Sequence, residues 1–336
     1  MARSSVRMSD VARLVGVSTM TVSRALSHPQ NVAPETRERI LQAIGTQGYV
    51  PNGVAGSLRA RRGRGVVCIV PHIANSVFSD TLQGLNDALR PAGMHVMLGT
   101  SGYSSMEEAQ VLEEFVRMRP EAVVLWGTRR HPKSRALLRR LGVSVIELFD
   151  LVPDPFDQVI GFSNELAMRA LVEHLLSQGR RRIAFVGSTN ERDVSNMQRA
   201  DGWRTALREA GLEPDGLMFE VDGTTAGGEQ AFRQLLASGV VFDAVCCVSD
   251  LLAVGVLIEC RRRGITVPQQ VSVCGFGDNP LAQAFDPPLS TVRLPRYAIG
   301  KVAGEQVLQR MAGEPVLQRT IDLGFELIIR ATSAVR

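Results

Sequence analysis

The sequence lacks any run of 18 or more apolar residues, so it predicts no membrane-spanning helix. Its N-terminus also lacks the apolar core of a signal peptide, because polar and arginine-bearing residues lead directly into a helical pattern. From these two absences we predict a cytoplasmic protein without a membrane partner. At 336 residues with 45% hydrophobic content, the chain is long enough to bury a large core and to form two or three domains.

Metal-site spacing is missing too, because the five cysteines form no C-x-x-C pair and no Cys/His ligand pattern. All five lie in apolar segments, which favours core packing over a metal site or a disulfide. We therefore predict no metal and no cofactor. The cysteines are Cys68, Cys246, Cys247, Cys260 and Cys274.

The motifs of common enzymes are absent as well. No G-x-G-x-x-G follows the first strand-like segment, no G-x-x-x-x-G-K-S/T occurs, and the five histidines form no H-E-x-x-H. We therefore predict a binding protein rather than an enzyme. An α/β enzyme that acts on a sugar acid stays as an alternative, which turnover of such a compound by purified protein would reveal.

Lysine is nearly absent, with two residues against 36 arginines, and the arginines are unevenly distributed. Residues 1–65 hold ten arginines and three acidic residues, a net charge of +7, while the whole chain carries +4. Residues 66–336 therefore carry −3. This asymmetry is typical of a nucleic-acid-binding segment joined to a neutral or acidic sensor domain.

The segment DVARLVGVSTMTVSRAL, residues 10–26, has the pattern of two short helices joined by a tight turn. Gly16 supplies the turn and Ser18 is a good N-cap for the second helix. A third helix is predicted from about Pro34 to Thr46, with Gly48 beyond its end. The pattern is typical of a helix-turn-helix domain. The apolar face of the first helix consists of Met8, Val11, Ala12 and Val15.

The second helix divides into an inward apolar face and an outward polar face. Val22, Ala25 and Leu26 point inward, and the opposite face is free to enter a DNA major groove. An ordinary amphipathic hairpin has the same pattern, and the basic charge of the segment favours DNA reading. The candidate DNA-binding residues of this helix and its cap are Ser18, Thr19, Met20, Thr21, Ser23 and Arg24.

A short basic segment, residues 52–62, separates the helices from the rest of the chain. Two glycines make it a poor helix by itself, and Leu58 stands between arginines such as Arg59. Two interpretations are equally favoured: a hinge helix that orders on DNA with Leu58 as a minor-groove wedge, or a flexible basic linker.

From Gly65 onward, apolar β-branched runs alternate with helical segments such as 78–91, 107–117 and 164–177. Continuous apolar runs are typical of parallel strands covered on both faces, so we predict a doubly wound α/β fold. Two sets of about four strands, before and after Gly161–Asn164, predict two lobes. A ligand is expected at the carboxyl ends of the strands, in the cleft between the lobes.

The predicted fold class is therefore an all-α helix-turn-helix domain followed by a bilobed α/β domain like type I periplasmic binding proteins. The predicted helical domain covers residues 1–62, with the hinge at 52–62, and the effector-binding and dimerisation domain covers 63–336. Its first lobe is expected at 64–162 plus 292–323. Its second lobe is expected at 163–291 plus 324–336.

Several separated segments resemble the lactose-repressor/galactose-repressor family of bacterial transcription regulators, over essentially the full chain. They are DVARLVGVSTMTVSRAL, TRERI (36–40), GYVPN (48–52), RADGW (199–203), SDLLAVG (249–255) and GITVPQQVSVCGFGD (264–278). The resemblance is strongest to the gluconate-repressor branch, on GVSTMTVSRAL, FDLVPDPFDQVIGFSN and LGFELIIR. It implies a homodimeric repressor that binds a palindromic operator on double-stranded DNA and a small sugar-like effector.

The resemblance also implies roles for individual residues. Thr19 and Met20 would choose operator bases, Arg24 would contact guanine, and Leu58 would be the hinge wedge. Arg199 would grip effector oxygens, although an exposed salt bridge is the plainer interpretation of that arginine. Further candidates are Tyr49, Asn52 and Arg59 for DNA, and Asn75, Phe78, Tyr103, Glu147, Asp250 and Asp278 for the effector.

Two departures limit this transfer. Ala33 stands where the family usually has Ser or Thr as a helix cap, and Gly277 replaces a usual aspartate, which leaves Asp278 as a substitute. Glu147 inside a strand-like run is either a ligand contact at the strand's end or half of a buried ion pair.

Arginine's planar fork suits a carboxylate, and the chain has few aromatic residues to stack on a sugar ring. Together with the resemblance to the gluconate-repressor branch, these features lead us to expect a sugar acid such as gluconate or a ketogluconate, which releases the operator on binding. A neutral sugar or another small metabolite is the alternative effector. A solute-binding protein with the same cleft is an alternative for the whole chain, and the basic helical N-terminus disfavours it.

Overall fold

A computed structural model describes residues 6–49, 65–73, 76–190 and 193–334. The chain divides into two units, Met1–Arg64 and Gly65–Arg336. Within the described ranges, no helix is both long and apolar enough to cross a membrane. The candidate residues Asn52, Leu58, Arg59 and Asn75 lie outside the described residues, so their predicted roles stay predictions.

The first unit contains three α-helices, as predicted: α1 (Met8–Val15), α2 (Thr19–Ser27) and α3 (Pro34–Gln47). A short 3-10 turn, Pro29–Asn31, follows α2. Gly16 ends α1 with φ +74°, a left-handed conformation that glycine adopts without steric cost. The apolar faces of the helices meet in one small core, made of Val11, Ala12, Val15, Val22, Ala25, Ile40, Ala43 and Tyr49.

The helix caps explain where these helices begin and end. The Ser18 hydroxyl accepts a hydrogen bond from the Thr21 backbone N–H at 3.1 Å and so caps α2. Gly48, with φ +64°, ends α3. At the start of α3, Ala33 occupies the N-cap position and offers no side-chain acceptor.

The second unit contains two parallel sheets, which confirms the predicted α/β class. The first sheet has six strands in the order β11-β5-β4-β3-β1-β2, all paired in parallel. The prediction of about four strands was therefore too low, because β5 and β11 were not recognised. The strands are β1 (Gly65–Val70), β2 (His95–Thr100), β3 (Ala122–Trp126), β4 (Ser144–Asp150), β5 (Gln158–Phe162) and β11 (Thr320–Asp322).

The second sheet has four parallel strands in the order β7-β6-β8-β9, as many as predicted. They are β6 (Ile183–Ser188), β7 (Met218–Val221), β8 (Ala244–Cys247) and β9 (Ser272–Cys274). An antiparallel pair, β10 (Thr291–Arg293) with β12 (Glu326–Ile328), accompanies the two parallel sheets.

Helices connect the strands in each lobe. In the first lobe these are α4 (Ser76–Leu89), α5 (Ser105–Val116), α6 (Pro132–Leu141) and α12 (Arg296–Met311), and α4 packs against α12. In the second lobe they are α7 (Asn164–Ser177), α8 (Val194–Glu209), α9 (Thr225–Ala237), α10 (Asp250–Arg262) and α11 (Pro280–Ala284). A second 3-10 turn, Arg90–Ala92, follows α4.

The uncapped start of α3 generates a stability prediction. We expect Ala33→Ser to stabilise the first unit by about 1 kcal/mol, because serine gives the first-turn amides the acceptor that alanine lacks. Backbone hydrogen exchange of Glu35 and Thr36 should slow about fivefold. Ala33→Val, which adds atoms but no acceptor, is the control. Equal exchange rates in the serine and valine variants would contradict the capping argument.

Candidate functional site

The outward face of α2 is available to contact DNA bases. Thr19 and Arg24 are exposed, and Met20 is 63% exposed although it is a large apolar residue. On the inner face, Val22 is fully buried and holds the helix against the core. Met20 lies in the first turn of α2, and the buried residues of the helix hold it in place. An exposed apolar side chain in this position is suited to contact a thymine methyl group.

The other candidates of the first unit are placed less favourably. The hydroxyls of Ser18 and Thr21 lie 2.9 Å apart and share a hydrogen bond within the helix cap. Ser23 is half-buried. Tyr49 is only 8% exposed and packs in the core, where its ring supports the helices rather than presenting a DNA-contacting face.

The second unit holds a cavity of about 340 Å³. It is lined at the carboxyl ends of strands from both sheets, which is where parallel α/β proteins bind ligands. The strand ends contributed by the first sheet carry His72, Tyr103, Trp126 and Phe149. Those contributed by the second carry Ser188, Asp222, Ser249, Asp250 and Phe276.

Arg199, on α8, is held at the cavity wall by contacts on three sides. Its Nε donates to Asn164 Oδ1 at 2.9 Å and its Nη1 donates to the Val248 carbonyl oxygen at 2.8 Å. The guanidinium carbon lies 3.9 Å from the centre of the Phe276 ring. Among the described residues, no protein acceptor contacts Nη2. The exposed salt bridge considered from the sequence is therefore not what the structure shows.

Asn164, which accepts from Arg199, is itself hydrogen-bonded to Asp150. The Asn164 amide Nδ2 donates to Asp150 Oδ1 at 2.9 Å, and Ser195 Oγ donates to the same oxygen at 2.7 Å. Asp150 ends β4 in the first lobe, whereas Asn164 and Ser195 lie on α7 and α8. Burial raises the pKa of Asp150 to about 6, although the hydrogen bond from Ser195 opposes the increase.

Two further buried carboxylates line the cavity. Asp193 caps α8, its Oδ1 accepting from the Ser195 backbone N–H at 3.1 Å, and burial raises its pKa while Arg199 opposes the shift. Asp250 begins α10 and accepts from Thr291 Oγ1 at 2.6 Å; burial raises its pKa too. Desolvation also lowers the pKa of Arg199, although the nearby acids Asp193, Asp150 and Asp250 oppose the decrease. The cavity wall therefore carries two carboxylates, Asp193 and Asp250, and the guanidinium of Arg199.

Aromatic side chains form much of the remaining wall, which corrects the expectation of few aromatic residues. Trp126 stacks on Phe149 with ring centres 3.6 Å apart, and Phe78 meets Trp126 edge-on at 4.3 Å. Tyr103 and Phe276 complete the set. The chain is only 5% aromatic, but the fold gathers these residues at one place.

Two predicted effector contacts lie outside the cavity lining. Glu147 is 1% exposed and pairs with Arg130 at 3.5 Å, which agrees with the ion-pair interpretation of this residue. Asp278 accepts from Arg293 at 2.7 Å and contacts Arg330 at 2.8 Å. Partial burial opposes ionisation of Asp278, but these two arginines outweigh it and lower its pKa. The substitute role proposed for Asp278 therefore has no direct geometric support.

A second chamber of about 430 Å³ adjoins the cavity and shares Tyr103, Trp126, Asp193 and Ser195 with it. Hydroxyl groups of Ser101, Ser104, Ser105 and Thr128 lie along it. In the parts of the chain that the structure describes, no group of three or more His, Cys, Asp or Glu side chains is arranged to hold a metal. The described cysteines are buried free thiols.

Of the effector residues predicted from the sequence, Arg199, Asp250, Phe78 and Tyr103 line the cavity. The sequence analysis did not identify the residues that hydrogen-bond to them or pack against them. Asp150 and Asn164 follow or end apolar strands, so the rule that ligands bind at strand carboxyl ends was the available signal. Trp126 ends a strand in the same way. No sequence signal marks Ser195, since its role depends on where α8 begins.

A helix-turn-helix unit joined to a bilobed domain with a polar interlobe cavity defines a class: ligand-controlled DNA-binding regulators. Comparisons with known proteins agree. A sequence profile for "Bacterial regulatory proteins, lacI family" matches residues 7–52, and one for "Periplasmic binding protein-like domain" matches residues 172–333. The chain belongs to the lactose-repressor (LacI) family of bacterial transcription regulators.

Three relatives illustrate the similarity. "HTH-type transcriptional regulator GntR" of Pseudomonas aeruginosa is 37% identical over 97% of this chain and 95% of its own length. A LacI-family regulator from Silicibacter pomeroyi has a structure with a TM-score of 0.91, 30% identity and coverage of 97% and 99%. The transcription regulator GntR from Chromobacterium violaceum has a TM-score of 0.76, 36% identity and coverage of 80% and 99%.

Burial of Asp150 generates a pH prediction. Its pKa rises from 3.8 to about 6 on folding, so the folded state favours the protonated acid. The stability it contributes is full below about pH 4 and is lost as the pH rises through 6, on the order of 3 kcal/mol in total. Asp150→Asn, which keeps an acceptor oxygen for Asn164 and Ser195, should remove this loss and raise stability at pH 7.

Urea unfolding measured between pH 4 and pH 7 tests this expectation. Both tryptophans, Trp126 and Trp203, lie in the second unit, so their fluorescence reports on it specifically. Other buried acids also make the free energy of unfolding fall as the pH rises. The test therefore compares the pH dependence of the variant with that of the wild type. Exposed Asp215→Asn is the control. A wild-type pH profile in Asp150→Asn would contradict the assignment.

Proposed function

We propose that this regulator is a homodimeric repressor that reads a palindromic operator with α2 and releases it when a small polyhydroxy acid binds in the interlobe cavity. The hydrogen bonding of Arg199 is the observation that supports the proposed acid effector. Two of its nitrogens are committed to the protein, and Nη2 is left without a protein acceptor at the cavity wall. A ligand carboxylate would complete its hydrogen bonding.

The neighbouring carboxylates support a ligand with several hydroxyl groups. Asp193 and Asp250 line the cavity and accept hydrogen bonds, as hydroxyl donors require. Gluconate and 2-ketogluconate combine one carboxylate with a row of hydroxyls, and they are the compounds we propose first.

The aromatic wall supports a second candidate, a neutral pyranose. A sugar ring offers apolar C–H faces that pack on aromatic rings, and Phe78, Trp126 and Tyr103 line the same cavity. With a neutral sugar, Arg199 would donate to hydroxyl oxygens instead of a carboxylate. The two candidates differ in whether affinity depends on the charge of Arg199.

The DNA-reading role of α2 has a direct test. After in vitro selection of the operator from random duplexes, Arg24→Ala should weaken operator binding by about 1–3 kcal/mol at fixed salt, through loss of a base contact. Thr19→Ala and Met20→Ala should change which bases are preferred. Exposed Arg13→Ala on α1 is the control. If Arg24→Ala bound the selected operator as tightly as the parent, α2 would not be the reader.

The effector role of Arg199 is tested by calorimetry with gluconate, 2-ketogluconate and glucose. Arg199→Ala should still bind operator but lose acid binding and the acid's effect on DNA affinity, which is expected to be 5–150-fold in the parent by linkage. Arg208→Ala is the matched control, because Arg208 is exposed on the same helix.

Three outcomes separate the candidates. Acid binding that disappears in Arg199→Ala and persists in Arg208→Ala supports the proposal. Tight glucose binding with no response to either acid would replace it with the pyranose. Unchanged acid affinity in Arg199→Ala would remove this arginine from the site.

A further inference from the structure

Five exposed arginines lie at one edge of the first sheet, in the last turn of a helix or in the connection that leads from a helix into the next strand. Strands of a parallel sheet all begin at the same edge, so these connections are neighbours. We call this set the arginine edge. It consists of Arg90 before β2, Arg117 and Arg119 before β3, and Arg139 and Arg140 before β4.

The same edge is where β1 begins, directly after residues 50–64, which follow the DNA-binding helices in sequence. The Glu121 backbone N–H donates to the Gly65 carbonyl oxygen at 2.9 Å, so the segment after Arg119 lies beside the first residue of β1. In the sheet order, β1 stands between β3 and β2. The arginines therefore flank the strand that continues the chain from the DNA-binding unit.

Among the described residues, the five side chains of the arginine edge have no ion-pair partner and form no side-chain hydrogen bond. Elsewhere in this unit arginines are commonly paired, as Arg310 is with Asp157 at 2.8 Å. Acids lie close along the chain, with Glu121 two residues after Arg119 and Asp87 three residues before Arg90, but neither forms an ion pair or a side-chain hydrogen bond with these arginines. An unpaired set of arginines suits an anionic partner.

Arg119 adds an independent observation. It has φ +52°, a left-handed conformation that is strained for a residue with a side chain. The equivalent connections use glycine there, Gly93 at φ +67° and Gly142 at φ +65°. Glycine would adopt this conformation without that cost, so the Arg119 side chain can be removed there without introducing new backbone strain.

From these observations we infer that the arginine edge contacts phosphates of the DNA flanking the operator half-sites. The inference rests on DNA binding by the family and extends the DNA-contacting surface from the helical unit to the effector-binding unit. Such contacts are independent of base sequence, because phosphates carry no sequence information. The alternative is that these arginines only stabilise the C-terminal ends of their helices.

Salt dependence separates the two explanations. The double variant Arg117→Gln/Arg139→Gln removes two phosphate contacts from each protomer, four from the proposed homodimer, and should lower the slope of log K against log salt by about 4, one per lost contact. Arg208→Gln/Arg261→Gln is the matched control. It removes the same charge from exposed arginines at the ends of α8 and α10, on the second lobe.

The duplex length provides a second readout. The slope difference should appear on long duplexes, for operator and scrambled sequence alike, and vanish on a duplex of about 20 base pairs that covers only two adjacent half-sites. No slope change in Arg117→Gln/Arg139→Gln, or an equal change in the control pair, would overturn the inference. Failure of the proposed base reading by Arg24 would instead appear as an unchanged sequence preference in Arg24→Ala, independent of the salt slopes of the arginine-edge variants.

Arg119→Gly separates DNA contact from folding. Glycine relieves the backbone strain, so the thermal midpoint should stay equal or rise, while the salt slope falls by about 2, one per protomer of the proposed homodimer. A lower thermal midpoint with an unchanged slope would assign Arg119 a purely structural role and contradict the proposed contact.

Discussion

A buried chain of hydrogen bonds from Asp150 through Asn164 to Arg199 is the constraint on which the cavity depends. Burying a carboxylate and a guanidinium costs several kcal/mol each unless their hydrogen bonds are satisfied. Asn164 meets both needs, because its amide donates to Asp150 and its carbonyl oxygen accepts from Arg199. An aspartate at that position would lose the donor, and a leucine would lose both.

The chain of hydrogen bonds joins the two lobes. Asp150 ends a strand of the first sheet, while Asn164 and Arg199 lie on helices of the second lobe. Under the proposed function, a ligand carboxylate on Nη2 would bind a guanidinium whose Nε and Nη1 are held by Asn164 and Val248. Ligand binding would then be energetically linked to this contact between the lobes. Linkage of this kind acts equally in both directions.

Much of the fold could be predicted from the sequence because its signals are local. Helical spacing, the Ser18 cap and Gly48 gave the three helices, and buried apolar runs gave most strands. The site was harder, because Glu147 and Asp150 are two acids in one apolar strand. Only Asp150 stands at the carboxyl end, where the lobes meet, and Glu147 is matched by Arg130 from a distant segment. Local sequence does not reveal which buried charge has a partner.

The aromatic content shows a second limit of composition. The chain as a whole has few aromatic residues, but the cavity wall has several. Trp126 ends β3, Phe149 is the next-to-last residue of the adjacent strand β4, and Phe276 follows β9. Their placement also changes the chemistry of Arg199, whose guanidinium lies over the Phe276 ring. Stacking fixes the plane of the guanidinium and leaves its edge for hydrogen bonds. The carboxylate that we propose as ligand would present a planar acceptor in that plane, which a hydroxyl would not.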